Sequence, residues 1–381
     1  MKNFRFVSKL AAACLLTFVL LIFNWDRVEM ENRAFVITIG IDTSGEDDAR
    51  FEVSMNIVDT EAMERGSENT PVIKRKANGE SLAMAMEQIG AKISETVYYG
   101  HTKAIVLGES LLNDEDMLRE TVDTLSRKNE INIKAIVMST DKSSEDVLEA
   151  KPSEHGLLGV YLSNFYNNNN ANTASRLVKL DLERLISSLE SDHSVVIPKI
   201  SLEGEGEEQE IIIGGVAVVK DFCLAGYVDE EKMEGFLWMM ENAAGASVSI
   251  DIERGHMTYL VEKSKVKISF YEKNGHLHCL VRLNTKGSIE GARFMGDSLF
   301  DAGKITELQQ QFADEIYSQT EETINVFHDE FGVDGFGLKE ILRKKEWKLY
   351  EKYAEDWEES FENMDVTIDV DVTIGNTGSI K

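Results

Sequence analysis

Lys103-Ala104-Ile105-Val106-Leu107 reads as a buried strand, Asp114 to Arg127 as a helix, Ile131 to Ser139 as a second strand, and Ser143-Ser144-Glu145-Asp146 as the opening of a further helix. Short polar caps and acids in the first turn are what a helix start requires. The strand–helix–strand–helix order predicts a mixed sheet covered by helices, an α+β fold.

Toward the N-terminus, Phe35-Val36-Ile37-Thr38-Ile39-Gly40-Ile41 is a buried strand, and the alternating Phe51-Glu52-Val53-Ser54-Met55-Asn56-Ile57 is its returning partner. Asp42 to Asp48 forms the turn between them. A loop surrounds Pro71, and Leu82, Met86, Ile89 and Ile93 mark one helix face. Earlier still, Lys2, Arg5 and Lys9 precede an uncharged run from Leu10 to Phe23. A basic start followed by an apolar run is the pattern of an export signal. The run of 14 residues is shorter than the ~20 that span a bilayer comfortably. An uncleaved anchor is expected, with Trp25 at the membrane interface and the acidic remainder outside. Cys14 follows Ala11-Ala12-Ala13, but only Met1 to Leu10 would precede that small-residue box, with no apolar core for recognition.

Toward the C-terminus, Asn167 to Asn170 is a polyasparagine loop, and Val178, Leu182, Leu185 and Leu189 give an amphipathic helix. Glu203 to Glu210 holds five glutamates in eight positions, a solvated connector. Ile211 to Val219 and Phe222 to Val228 form an apolar hairpin around Lys220-Asp221. Lys265 to Glu272 and His276 to Asn284 flank Asn274-Gly275, a two-residue hairpin signal. Thr306 and Gln309 have capping-box spacing and are expected to open a long helix whose stripe is Leu308, Phe312, Ile316, Phe327 and Phe331. A second helix is expected to carry Trp347, Tyr350, Ala354, Trp357 and Phe361. The chain closes on a strand with Val366, Ile368, Val370 and Val372 on one face and Asp365, Asp369 and Asp371 on the other.

The 381 residues hold 68 Asp plus Glu against 40 Lys plus Arg, a net charge of −28. That field argues against holding a phosphate backbone, so no nucleic-acid partner is expected. The three cysteines cannot build a disulfide framework, although Cys223 and Cys279 could pair outside the cytoplasm. His276 and His278 would share a strand face, half of a metal site with no second ligand cluster. There is no GxSxG elbow, no GxxxxGK[ST] loop and no HExxH. Asp42 to Asp48 resembles a calcium loop but has Asp47 where glycine is needed. Gly332-Val333-Asp334-Gly335-Phe336-Gly337 follows a helix and reads as a turn between two late helices. No catalytic, cofactor-binding or metal residues are assigned, and the chain is read as not an enzyme.

An ordered set of segments resembles the Ger(x)C family, the C subunits of spore germinant receptors, a GerAC-like spore germination lipoprotein family. Trp25-Asp26-Arg27-Val28-Glu29, Arg33-Ala34-Phe35-Val36 and Gly40-Ile41-Asp42 are similar to the family's mature N-terminus. Gly100-His101-Thr102-Lys103 through Gly108-Glu109 resembles its first internal motif. Gly214-Gly215 through Lys220, then Leu224-Ala225-Gly226-Tyr227-Val228-Asp229 and Leu237-Trp238, resemble its central signature. Asp334-Gly335-Phe336-Gly337, Trp347, Trp357 and Thr377-Gly378 agree with its C-terminal part. One position departs: family members carry a lipid-modified cysteine before the Trp-Asp pair, and here that residue is Asn24, which has no thiol.

The resemblance implies a three-domain protein, expected as a signal or anchor at 1–24, an α+β domain at 25–200, a central β-hairpin domain at 201–250 and an α+β domain at 251–381. It implies a non-enzymatic subunit on the outer face of the inner spore membrane, partnered by the receptor's A and B membrane subunits, that helps trigger germination in response to nutrients. The alternative is an extracytoplasmic, membrane-anchored solute- or cation-binding protein, supported by the negative charge and the acidic face of the last strand.

Overall fold

The computed structural model describes residues 32–46, 48–59, 72–150, 157–167, 178–204, 209–239, 243–252, 255–290 and 302–376. The expected anchor at 10–23, Cys14, Asn24, Trp25, Asp26, Arg27, Asn168 to Asn170, the middle of the glutamate run and Thr377 lie outside the described residues.

The founding hairpin forms as expected. Strands β1 (Arg33–Thr43) and β2 (Phe51–Val58) pair antiparallel, and β3 (Val72–Gly79) extends the sheet beyond β2. On the other side of β1 run β5 (Ala104–Leu107) and β6 (Ile136–Ser139), both parallel, while the short β4 (Thr96–Tyr98) pairs with the start of β1. Strand β7 (Ser194–Glu203) lies parallel to β6, and β8 (Glu210–Lys220) and β9 (Cys223–Val228) complete a nine-stranded sheet of order β3-β2-β1-β5-β6-β7-β8-β9. Asp221 and Phe222, both at positive φ (51° and 61°), turn β8 into β9. The backbone twist of such a turn matches that of its strands.

Both faces of this sheet are covered. Helices α1 (Leu82–Gly90), α2 (Glu109–Leu112), α3 (Glu115–Arg127) and α6 (Leu182–Asp192) bury their apolar stripes with Ile105, Leu107 and Val137. Helices α4 (Ser144–Glu149) and α5 (Leu158–Asn167) pack on Ala104, Val106 and Met138, which the period of two sends to the opposite face. The caps are those the sequence offers, since Ser81, Asp114, Ser143 and Asp181 each accept a first-turn N–H.

The expected boundary at 200/201 falls inside β7. The hairpin assigned to residues 201–250 continues the N-terminal sheet, because Val195↔Val219 through Glu203↔Glu210 is one antiparallel ladder. Its two faces serve two cores. Ala217 and Val219 pack with the N-terminal helices, while Val216, Val218 and Val228 pack with the C-terminal residues. Strand β8 is therefore a shared wall.

The C-terminal sheet has the order β10 (Ser247–Ile252), β11 (Gly255–Lys273), β12 (His276–Glu290) and β13 (Asp365–Asn376). Asn274 and Gly275, both at positive φ, make the expected turn. A register shift between Val261 and Lys263 exchanges the buried parity along β11, from Met257, Tyr259 and Val261 to Ile268 and Phe270. One face packs on the short helix α7 (Gly235–Met239) and on the long helix α8 (Ala302–Asn325), the latter through Phe312 and Ile316, and the other carries exposed residues such as Arg282, Asn284 and Asp369.

Three late expectations are corrected. Helix α8 begins at Ala302, so Thr306 lies within it and does not cap it. An unanticipated helix α9 (Leu338–Lys345) follows the glycine-rich turn. The single helix expected through Phe361 is two short ones, α10 (Trp347–Tyr353) and α11 (Trp357–Glu362), and Trp347 is 56% exposed.

Candidate functional site

The penultimate residue of strand β1, Asp42, is nearly fully buried and accepts from the backbone N–H and the hydroxyl of Ser144, 102 residues away. The Oδ2–N separation is 3.0 Å, and Ser144 is the first residue of α4. A carboxylate at a helix N-terminus meets donors that otherwise lack partners. Desolvation pushes the Asp42 carboxyl above its ordinary range, and the Ser144 hydrogen bonds oppose that rise. A Cβ on Gly40 would meet Oγ of Ser144 at 2.4 Å, and one on Gly108 would meet Oδ1 of Asp42 at 1.7 Å. The Gly40-Ile41-Asp42 and Gly108-Glu109 segments thus close around one buried hydrogen-bonded pair. Its serine hydroxyl is spent on a carboxylate, a structural bond more than an activated nucleophile.

At the other end of the same strands lies an aromatic cluster. His101 sits 5.2 Å from Phe35 and 5.5 Å from Tyr98 by ring centroid, and the Arg33 guanidinium lies 4.8 Å from the Tyr98 ring. A Cβ on Gly100 would meet the Tyr98 ring at 2.6 Å and its hydroxyl at 2.5 Å, so a larger residue there would require the half-exposed Tyr98 side chain to shift. Lys103 splices the sheet: its N–H donates to Ile37 O at 2.8 Å and its carbonyl accepts from Ile136 N at 2.9 Å.

The remaining motif positions gather at the joint between the large sheet and the C-terminal part. Gly215 has φ +73°, and a Cβ there would meet Val228 O at 2.4 Å. A Cβ on Gly214 would meet the Glu230 carboxylate at 2.7 Å, and one on Gly226 the ring of Phe331 at 3.0 Å. Trp238 is fully buried and donates from Nε1 to Oε1 of Gln319 at 2.9 Å. Gly335 lies under Phe327, whose ring meets Phe236 and Phe336. Gly337, at φ +70°, precedes α9, and Asp334 accepts from the N–H groups of Leu338 and Lys339 at 2.8 Å each. Burial raises the Asp334 carboxyl, against the pull of those donors.

Beside this joint opens a cleft of about 1030 Å³, lined by residues including His193, Lys220, Asp334, Lys339, Glu340 and Trp357. Its walls are tied by Lys339 to Asp192 at 2.5 Å and by Lys220 to Glu358 and Glu362. Arg343 is engaged by Glu340, whose carboxyl is held down at about 2. Three cations lining the cleft, Lys220, Lys339 and Arg343, are therefore already paired.

The other chemistry-bearing residues are scattered. His278 stacks on Tyr271 at 5.1 Å and meets Asp365 at 3.3 Å, while Arg282 meets Asp369 at 3.7 Å. Two aspartates of the acidic strand face are thus engaged across the sheet. No cluster of three metal-ligating side chains occurs among the described residues. Cys223 and Cys279 are both free, and burial pushes the Cys279 thiol up to about 12. No helix among the described residues is long and apolar enough to cross a membrane. The Asp42–Ser144 bond was missed by sequence reasoning. Its only local signal was a polar helix start, and nothing local links residues 102 apart.

Two family models match in order along the chain: the spore germination protein N-terminal domain over residues 26–202, and the spore germination B3/GerAC like C-terminal domain over residues 214–378. Spore germination protein YndF of Bacillus subtilis (strain 168) is 23% identical over 80% of this chain and 74% of its own length. Spore germination protein B3 of the same organism is 20% identical over 93% of this chain and 94% of its own. Spore germination protein KC, also from that organism, is 20% identical over 97% and 95%. The crystal structure of the GerBC protein superposes with a TM-score of 0.58 at 17% identity, over 89% of this chain and 97% of that one, which shows the mixed α+β fold to be shared. With both models in sequence along nearly the whole folded part, the chain belongs to the GerAC-like spore germination family.

Proposed function

We propose that this protein is the non-enzymatic C subunit of a spore germinant receptor, held by residues 10–23 on the outer face of the inner spore membrane beside the receptor's A and B membrane subunits. The observation that carries the reading is the ordered match of both family models, supported by relatives named spore germination proteins over more than nine-tenths of the chain. The site geometry agrees. The motif residues are spent on closing the sheet and seating the C-terminal part, as in a subunit that works by contact. With Asn24 in place of a cysteine, the apolar run is left to provide the tether. Tethering raises the local concentration near partners, so a weak interface can hold an assembly.

The test is a spore strain whose only receptor operon is the one encoding this chain. Removing the chain should abolish nutrient germination, and affinity capture of the intact chain from spore membranes should bring down integral membrane subunits. Normal nutrient germination without it would reject the receptor role.

A further inference from the structure

We propose that the end of the large sheet carrying Arg33, Phe35, Tyr98, His101, Lys128 and Ile133 rests on the lipid headgroup surface, so that the acidic opposite end points away from the membrane. The inference rests on the anchored reading above and adds an orientation to it.

Three observations converge on that end. The first is reach. The apolar run ends at Phe23 and strand β1 begins at Arg33, leaving nine residues between them. Even fully extended, these span about 30 Å. Strand β1 has 11 residues and is itself roughly 35 Å long. A tether that short holds the beginning of β1 toward the membrane.

The second is side-chain chemistry. Because β1, β4, β5 and β6 are parallel, their first residues share one end of the sheet. There Arg33, Tyr98, Phe35 and His101 form a continuous aromatic and basic patch. Lys128 lies 5.0 Å from the neighbouring Tyr99 ring, Asn132 bonds the Thr102 carbonyl, and Ile133 beside it is 50% exposed. Aromatic rings with a polar tip and long cationic chains suit the headgroup zone, where one end is apolar and the other wet.

The third is charge. At this end Glu95 and Glu130 offset the cations, and Lys134 engages Asp181 and Glu183. The opposite end of the same strands carries Glu46, Asp48, Asp114, Glu115, Asp116 and Asp141 against the fewer cations Arg50, Lys142 and Lys199. On a body of net charge −28, an anionic lipid surface repels the second end and tolerates the first.

The test uses the full chain with Cys14→Ser and Cys223→Ser, Cys279 being buried, and one fluorophore placed through Ile133→Cys or Asp116→Cys. Each protein is reconstituted into phosphatidylcholine vesicles, with or without phosphatidylglycerol, containing headgroup-nitroxide lipid. The label at 133 should lose fluorescence while the label at 116 keeps it. Arg33→Glu with Lys128→Glu should reduce that loss on phosphatidylglycerol vesicles at unchanged circular dichroism. Equal quenching at both positions, or none at 133 in a chain that floats with the vesicles, overturns the orientation and leaves the anchor standing. A chain that fails to float removes the anchor and the orientation together. Quenching at 133 that appears only when integral membrane proteins are co-reconstituted would assign the patch to a protein partner and overturn the lipid assignment.

Discussion

The Cβ that Gly108 lacks would stand 1.7 Å from Oδ1 of Asp42, so the buried carboxylate fills the space a side chain at 108 would need. Gly108 precedes α2 at φ −72°, an angle any residue adopts, so its requirement is for room and not for backbone freedom. Gly108→Ala should cost on the order of 1–3 kcal/mol by overpacking, read from the urea midpoint of unfolding. Asp42→Ala should restore part of that loss in the double variant, because the obstructing oxygen is gone. Gly45→Ala is the control: nothing lies within 4 Å of its Cβ, and the change should stay within about 0.5 kcal/mol. A Gly108→Ala protein as stable as the parent would contradict the geometry.

Asp42 also sets a pH dependence. Its carboxyl is raised in the folded state, first by desolvation. A native pKa above the unfolded one means that the folded state holds the proton more tightly. Stability from this group is therefore full below the unfolded value of 3.8 and is lost as pH rises through the raised native value. Asp42→Asn cannot titrate. The variant should gain stability relative to the parent as pH rises from 3.8 to the raised native value and hold that gain above it, measured as the difference of two thermal unfolding series. A difference that stays flat across the range would place the shift elsewhere.

The thiols give a direct check on the two cores. Cys279 lies in the C-terminal core, while Cys223 is half-buried at the start of β9, with Sγ 3.9 Å from Asn113 O. A maleimide should modify Cys223 in the native protein and leave Cys279 untouched until the chain unfolds, because the thiolate is the reactive form and burial raises that thiol to about 12. Peptide mass mapping before and after denaturation reads both. A Cys223–Cys279 disulfide in the native map would overturn the free-thiol arrangement.

Local chemistry made much of the fold legible. Asn274-Gly275 announced its hairpin because such a turn demands particular residues, and α3 was visible from Asp114 and its apolar stripe, whereas the turn expected at Lys220-Asp221 falls one residue later, on Asp221-Phe222. What stayed hidden depended on remote partners. Strand β3 reads Val-Ile-Lys-Arg-Lys-Ala-Asn-Gly and owes its place to pairing with β2. Helix α9 has only Leu338 and Leu342 buried, and its start is fixed by Asp334 reaching forward to two N–H groups. The apparent helix from Trp347 to Phe361 has an unbroken aromatic spacing, yet the chain bends between Ala354 and Asp356. At the site, the motif glycines were recognisable as positions. Their purpose was not, since a glycine's need for space is set by whatever packs above it.

The joint between the sheet and the C-terminal part offers the last test. Gly226 on β9 faces the ring of Phe331, with the missing Cβ 3.0 Å from the nearest ring carbon. That distance is tight enough that the ring must give for alanine and cannot easily give for valine. Gly226→Ala should therefore be mild and Gly226→Val should cost on the order of 1–3 kcal/mol. Phe331→Leu should recover part of the valine penalty, since it removes the atoms in conflict. The cycle of two single variants and the double variant, followed by urea unfolding, isolates that coupling. Strict additivity would show that the two residues do not press on each other. Under the proposed receptor role, spores whose only receptor operon encodes this chain should germinate in the same order of variants, because β8 is the wall both cores share and the joint sets how the C-terminal part is held. Full germination with a Gly226→Val chain whose unfolding midpoint has dropped would show that signalling does not depend on how firmly this joint is packed.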